Sequence, residues 1–301
     1  MSKKKTAREW FMEGYNYDST ESNVDKAIVA YKKSIQLDNR FTDGYVNLGF
    51  IYLQKEDYDK ALKCFNKVVD LEPNNPEAYN NLGYVYERME RFGSAKQMYE
   101  KALKLNPLDV EAIINLAQIA DLQGDYQGAI EQYKKAIEID PLTVSPRFCL
   151  AVLHDRQDMF DEAMEQYKKV LEIDPDHIKA LFHLGNQYTQ QGDYKNAIES
   201  YKRVIELDRN HPEVWNNLGS IYEEMGNYED AVSAYKTSLS LNPLHEQANY
   251  NLVHLDYIRE RSNPEGSKRE EILRRLNFVL SINPKNRKAQ QILQKLENKE
   301  S

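Results

Sequence analysis

The chain has 301 residues and a formal charge of −8, with 29% of its residues charged. An acidic chain of this kind lacks the basic footprint of a nucleic-acid binder, and no apolar run approaches the roughly 20 residues of a membrane-spanning helix. Its two cysteines, Cys64 and Cys149, are too few for a disulfide framework in so long a chain and suit a reducing compartment, so the expected location is cytoplasmic.

Residues 1–6 read as a short solvated tail, because Arg8, Glu9 and Glu13 interrupt any apolar core behind the basic start. A 34-residue period then sets in and decides the fold. Asn-Leu-Gly stands at 47–49, 81–83 and 217–219, with Asn-Leu at 115–116 and 251–252 and a near copy at His183-Leu184-Gly185. Alanines recur at 27, 61, 95, 129, 163, 197 and 231. Aromatic residues recur at Tyr31, Phe65, Tyr99, Tyr133, Tyr167, Tyr201 and Tyr235. Prolines recur at 73, 107, 141, 175 and 243, with Arg209 breaking the series.

The spacing predicts two helices per unit, as 76–109 illustrates. Pro76 opens the first helix, where its missing N–H would be unpaired anyway. Tyr79, Leu82, Gly83 and Tyr86 form one apolar stripe. A polar turn lies near Glu90-Arg91; elsewhere the turn holds Gly124 or Gly192, which can end a helix in a left-handed conformation. The second helix carries Ala95, Tyr99 and Ala102 and stops at Pro107. Small residues at 83, 95 and 102 let the two helices approach, and the large ones at 79, 82, 86 and 99 fill the space between units. One pair cannot bury its apolar face alone, so stacked pairs must share a continuous core.

The units run 7–41, 42–75, 76–109, 110–143, 144–177, 178–211, 212–245 and 246–286, and together form a single solenoid domain, 7–286. The first has one extra residue in its Asp18–Asp25 turn. The last has about seven within Arg259–Lys268, expected as an exposed loop because Arg-Ser-Asn-Pro-Glu-Gly-Ser is polar and rich in helix breakers. Residues 287–298 form a further helix, with Ala289, Ile292, Leu293 and Leu296 on one face, which caps the solenoid.

With its Trp/Tyr, Leu-Gly, Tyr, Ala, Tyr/Phe, Ala and Pro at fixed offsets, best seen at Trp215, Leu218, Gly219, Tyr222, Ala231, Tyr235 and Pro243, the sequence resembles the tetratricopeptide-repeat family over nearly its whole length. The resemblance implies an all-α, right-handed solenoid superhelix of about eight helix pairs plus a C-terminal capping helix. It also implies that the first helix of each pair lines a concave groove that takes an extended peptide or a partner helix.

The residue before each recurrent leucine is then expected to face the groove: Asn47, Asn81, Asn115, Cys149, His183, Asn217 and Asn251. An asparagine amide offers both a donor and an acceptor, so it can pair with a peptide backbone whatever the peptide's side chains. This ladder is similar to the asparagine ladder in the repeat region of O-GlcNAc transferases, without a catalytic domain following it. Two readings stay open: the amides meet a ligand, or they bond a neighbouring helix. Phe50, Tyr84, Phe148, Phe182 and Tyr250 are expected at least partly exposed in the groove, or else packed between repeats. Groove charges favour acid, with Asp43, Glu77, Glu87, Glu111, Asp121, Asp155, Glu213, Glu223 and Glu224 against Arg88, Arg156 and Lys179. A basic partner would be steered to such a face. Family members that grip acidic chaperone tails use a basic clamp, whereas the matching positions here hold Val46, Asn80, Glu77, Ile114 and Glu111.

No catalytic set is visible. The six histidines form no His-x-x-x-His pair and the cysteines no Cys-x-x-Cys pair. A phosphate loop and a Gly-x-Ser-x-Gly elbow are both missing. The expectation is a non-enzymatic interaction scaffold without cofactor or metal, binding a protein or peptide, with no nucleic-acid partner and no membrane insertion. The alternatives are a regulatory or targeting subunit of an enzyme acting in trans, and a self-assembling oligomeric scaffold; the sequence does not set the oligomeric state.

Overall fold

The computed structural model describes residues 5–19, 23–262 and 269–297. The described residues form helices and turns only, and the chain divides into two compact units, Met1–Gln157 and Asp158–Ser301. The first unit holds α1 (Ala7–Ser19), α2 (Val24–Leu37), α3 (Thr42–Gln54), α4 (Tyr58–Leu71), α5 (Pro76–Arg88), α6 (Phe92–Leu105), α7 (Val110–Leu122), α8 (Tyr126–Ile139) and α9 (Val144–Arg156). The second holds α10 (Phe160–Ile173), α11 (Ile178–Gln190), α12 (Tyr194–Leu207), α13 (Pro212–Glu224), α14 (Tyr228–Leu241), α15 (Glu246–Ser262), α16 (Arg269–Ile282) and α17 (Arg287–Glu297). Within each unit, consecutive helices pack on one another in chain order, as an all-α solenoid requires.

The core follows the sequence ladders. The recurrent alanines and the Tyr/Phe series from Tyr31 to Tyr235 are buried almost completely. The aromatic ring has a more specific role than filling space between units. It lies against the small residue of its own first helix: a Cβ added at Gly83 would sit 2.5 Å from the Tyr99 ring, at Gly185 2.6 Å from Tyr201, and at Gly219 2.5 Å from Tyr235. Glycine at these positions is therefore set by a close approach within the helix pair.

Turn chemistry repeats as strictly. In the six pairs from α3–α4 to α13–α14, the residue that ends the turn inside the pair is left-handed, at Glu56 (φ 58°), Glu90 (58°), Gly124 (79°), Asp158 (57°), Gly192 (74°) and Gly226 (78°). Between pairs, an Asp or Asn side chain accepts from the backbone two residues on: Asp38 from Arg40, Asn106 from Leu108, Asp140 from Leu142, Asp174 from Asp176, Asp208 from Asn210 and Asn242 from Leu244, at 2.9–3.2 Å. Asp208 makes this turn although Arg209 replaces the proline, so the broken proline series leaves the turn intact.

Two expectations need correction. The end of the expected 1–6 tail is part of α1's start, because Thr6 and Glu9 form a reciprocal capping box, Glu9 N to Thr6 Oγ1 at 3.2 Å and Thr6 N to Glu9 Oε2 at 2.7 Å. Arg259–Ser262 belong to α15, so the loop expected over Arg259–Lys268 starts no earlier than residue 263, and 263–268 lie outside the described residues. Within the expected capping helix 287–298, Arg287–Glu297 are helical and Asn298 lies outside the described residues; the helix buries Ala289, Ile292 and Leu296, and Arg269 donates to the Leu296 carbonyl at 2.6 Å.

Candidate functional site

The ladder residues lie on the first helices α3, α5, α7, α9, α11, α13 and α15, and they fall into two chemical groups. In the first unit, Asn47 is half-buried and its amide donates to the Asp43 carbonyl of its own helix at 2.9 Å. Asn81 is half-buried and its side chain makes no hydrogen bond among the described residues. Asn115 donates to Asn80 Oδ1, on the preceding first helix, at 3.1 Å. Cys149 closes the row; burial pushes its thiol up, against hydrogen bonds with Tyr133, Gln118 and Ser145 that pull it down, so it is no activated nucleophile.

In the second unit the amides are committed. Asn217 donates to Asn186 Oδ1 at 3.1 Å and to the Tyr201 hydroxyl at 3.2 Å, while Tyr201 donates to the same Asn186 oxygen at 2.6 Å. Asn251 is buried; it donates to Asn216 Oδ1 at 3.1 Å and accepts from Gln247 at 2.7 Å. His183 stacks on Tyr167, centroids 5.2 Å apart and planes 16° apart.

The aromatic candidates divide likewise. Phe50 and Tyr84 are each 40% exposed. Phe148 is half-buried. Phe182 is half-buried, stacked on His211 at 5.2 Å and edge-on to His183 at 5.9 Å. Tyr250 is buried and stacked on His254, so it packs rather than presenting a ring.

Two expected surface acids are half-buried, and the buried tyrosine ring explains both. Tyr99 donates to Glu87 at 2.7 Å and Tyr235 to Glu223 at 2.8 Å, at the same repeat position. Burial holds the Glu87 carboxyl above its ordinary range. Glu223 goes the other way, because His254 lies beside it at 3.7 Å and outweighs burial. Asp121 is bound by Arg156 of the next first helix through a forked contact, one arm at 3.0 Å. His154 is buried in the core; His177 and His245 cap α11 and α15, accepting from Ala180 N at 3.1 Å and Ala248 N at 3.2 Å. Among the described residues no three His, Cys, Asp or Glu side chains gather as metal ligands, and no helix is long and apolar enough to cross a membrane. An open hollow of about 900 Å³ in the second unit, between Leu181, Leu184, Tyr188, Lys195, Ile198 and Lys202, includes no ladder residue.

The inter-repeat amide pairs were within reach of the sequence. The asparagine doublets Asn80-Asn81 and Asn216-Asn217 supply acceptors, Asn80 and Asn216, 35 residues ahead of Asn115 and Asn251.

Four models of the tetratricopeptide repeat match the chain, at residues 51–90 with 185–226, 83–142, 122–184 and 212–244. Between them they cover 51–244 without a gap, well over half of the chain. No curated protein matches it. Among solved structures, a chain of the APC/C hetero-tetramer Cut9-Hcn1 superposes with a TM-score of 0.60 at 18% identity, over 95% of this chain and 54% of that one, so the present chain spans about half its length. Pseudomonas aeruginosa pilF gives 0.59 at 16% identity, over 72% of this chain and 97% of its own. MamA is 26% identical over 54% of this chain and 95% of its own, with a TM-score of 0.48. The first two likenesses are of fold alone. With the helix pairs, the glycine–aromatic contacts and the matched span in agreement, the chain belongs to the tetratricopeptide-repeat family.

Proposed function

We propose that the protein is an interaction scaffold that holds an extended segment of a partner protein against its first-helix faces. The observation that carries this reading is the free hydrogen-bonding capacity of the first unit. Asn81 has no partner among the described residues and Asn47 is bonded to its own helix alone, while Phe50 and Tyr84, one turn on, are exposed. Amides left free beside exposed rings offer backbone pairing and apolar contact together. Each new amide bond is worth only about 0.5–1.5 kcal/mol net, so the affinity is modest and tolerant of sequence. Asn115 keeps its carbonyl free and extends the row. In the second unit Asn217 and Asn251 already pair within the protein, and with His183 and Phe182 they shape that unit's first-helix face more than they grip; Phe148 does the same on the first unit's own face. Acid along the same helices, at Asp43, Glu77 and Glu111, favours a basic segment, and the location consistent with two unpaired thiols is the cytoplasm.

The test is a selection from a random peptide library on the whole chain, repeated with Asn47→Ala/Asn81→Ala and with Asn217→Ala, each checked for helicity by circular dichroism. Selected peptides should bind the wild type and lose at least tenfold on the first variant, but keep most of their affinity on Asn217→Ala. Peptides that bind both variants as well as wild type would move recognition off this face.

A further inference from the structure

The first unit carries a row of exposed rings that the asparagine ladder does not account for. Tyr15 on α1 is 51% exposed, and Phe50 and Tyr84 are 40% exposed on the next two first helices. All three hold one repeat position. Each follows a glycine, Gly14, Gly49 or Gly83, that lies against the buried ring of its own pair, Tyr31, Phe65 or Tyr99. The buried ring supports the exposed one: Phe50 stands edge-on to Phe65 at 5.3 Å. The row ends there, because the same position is Gln118 and Val152 later in this unit and Asn186, Ser220 and His254 in the second.

Acid accompanies the rings. One turn past Tyr15, Asp18 meets the Tyr31 hydroxyl at 3.5 Å, and one turn past Tyr84, Glu87 meets that of Tyr99 at 2.7 Å. On α3 and α5 the residues at i, i+4 and i+7 read Asp43, Asn47, Phe50 and Glu77, Asn81, Tyr84. Residues so spaced share one helix face, so each of these helices presents an acid, an amide and a ring in line. Arg88, one turn past Tyr84, lies near the Tyr58 hydroxyl of α4, which favours its charged form.

Resting on the scaffold reading above, we propose that this face takes a polyproline-II segment with arginine at every third residue. The geometry selects that conformation. Successive first helices come within side-chain reach of one another, as Asn115 on α7 and Asn80 on α5 show at 3.1 Å, and helices in such contact stand about 8–10 Å apart. A polyproline-II chain has three residues per turn and rises about 3.1 Å per residue, so residues i, i+3 and i+6 point the same way about 9.3 Å apart. A β-strand alternates faces and cannot present every third side chain to one side. The polyproline-II backbone has no internal hydrogen bonds, which leaves its carbonyls, and the N–H of each non-proline residue, for Asn47 and Asn81. A guanidinium is planar and weakly hydrated, stacks on aromatic faces and bonds carboxylates. Rings flanked by acids on a chain of net charge −8 therefore match arginine better than an apolar or acidic side chain.

The test uses the whole chain and fluorescein-labelled peptides read by fluorescence anisotropy: (Pro-Pro-Arg)4, (Pro-Pro-Glu)4, and (Pro-Pro-Pro-Arg)4, which keeps four arginines but moves them out of phase. The first should bind about tenfold tighter than the third, and the second should not bind. Phe50→Leu/Tyr84→Leu keeps apolar bulk but removes the ring faces, and should weaken (Pro-Pro-Arg)4 about tenfold or more; Tyr84→Leu alone, at an exposed site, should weaken it about threefold. Equal binding of the two arginine peptides, or binding unchanged by the leucine variants, would overturn the proposal in favour of plain charge attraction. No binding of (Pro-Pro-Arg)4 would also overturn it, and the library selection then judges the scaffold reading separately: apolar peptides lost on Asn47→Ala/Asn81→Ala would leave the face as a peptide site without an arginine preference.

Discussion

The left-handed residue at the end of each first helix offers a clean measure of how the sequence sets stability here. It is glycine at 124, 192 and 226 but glutamate at 56 and 90 and aspartate at 158, with φ near +58° at all three acidic residues. A residue bearing a Cβ loses about 1–2 kcal/mol in that conformation, and glycine gives back about 0.5–1 kcal/mol through its freer unfolded chain. Glu90→Gly should therefore stabilise by about 0.5–1 kcal/mol, and Gly124→Ala should destabilise by a similar amount. Nothing lies within 4 Å of a Cβ placed at Gly124, so the loss there is conformational, without a steric part, and Glu90 is exposed, so its removal uncovers no core. The assay is urea unfolding followed by circular dichroism, with hydrogen exchange of α5–α8 amides to localise the change, since repeat proteins store stability unit by unit. The two substitutions should add when combined. A loss of stability on Glu90→Gly together with an unchanged Gly124→Ala would refute the reasoning, because it would mean that the side chain of Glu90 and not its backbone conformation matters.

Three further outcomes follow from packing and charge. Gly219→Ala should cost about 1–2 kcal/mol in urea unfolding, since the new methyl would stand 2.5 Å from the Tyr235 ring and overpacking outweighs alanine's helix preference; wild-type stability would mean that the ring moves freely. Ser238→Ala should stabilise by up to about 1 kcal/mol, because its hydroxyl is fully buried with no hydrogen-bond partner among the described residues; a loss would reveal a bonded hydroxyl. Glu87→Gln and Glu223→Gln should act in opposite directions with opposite pH trends. The folded pKa of Glu87 lies above its unfolded value of about 4.3, so its burden is full at neutral pH and falls away as pH drops through the folded pKa; Glu87→Gln should stabilise at pH 7, and less at pH 4. The folded pKa of Glu223 lies below that value, so its contribution is present above about pH 4.3 and lost as pH falls through the folded pKa; Glu223→Gln should destabilise at pH 7 and converge on wild type in acid. Parallel pH trends for the two variants in urea midpoints would sink this account.

What could be read from the sequence was whatever repeats. The helix pairs are legible because the alanine, aromatic and leucine ladders report the same buried contacts seven times over. The left-handed turns were half legible: glycine at 124 and 192 announces the conformation, whereas glutamate at 56 and 90 adopts it with no composition signal, held by the helices on either side. The end of α15 was misplaced because Arg259–Ser262 are polar and close to Pro264 and Gly266, and polarity does not distinguish the exposed last turn of a helix from a loop.

The asparagine ladder shows where a position-by-position reading stops. Asn47, Asn81, Asn115, Asn217 and Asn251 are identical in type and register, yet some are committed and others free, because an amide's fate depends on its neighbour across the repeat. Asn115 and Asn251 meet Asn80 and Asn216 on the preceding first helix. Asn217 has Phe182 at that offset and reaches Asn186 instead. Asn81 has Val46 there, which offers its amide no acceptor. A short polar side chain that finds a partner inside the protein stabilises the stack and is withdrawn from ligand chemistry; one that faces a valine keeps both donor and acceptor for whatever arrives. An acceptor 35 or 31 places upstream therefore separates committed from free asparagines, since Asn217 finds Asn186 at the second offset whereas Asn81 has Val46 and Phe50 at the two, and the free amide lies in a repeat that exposes Tyr84.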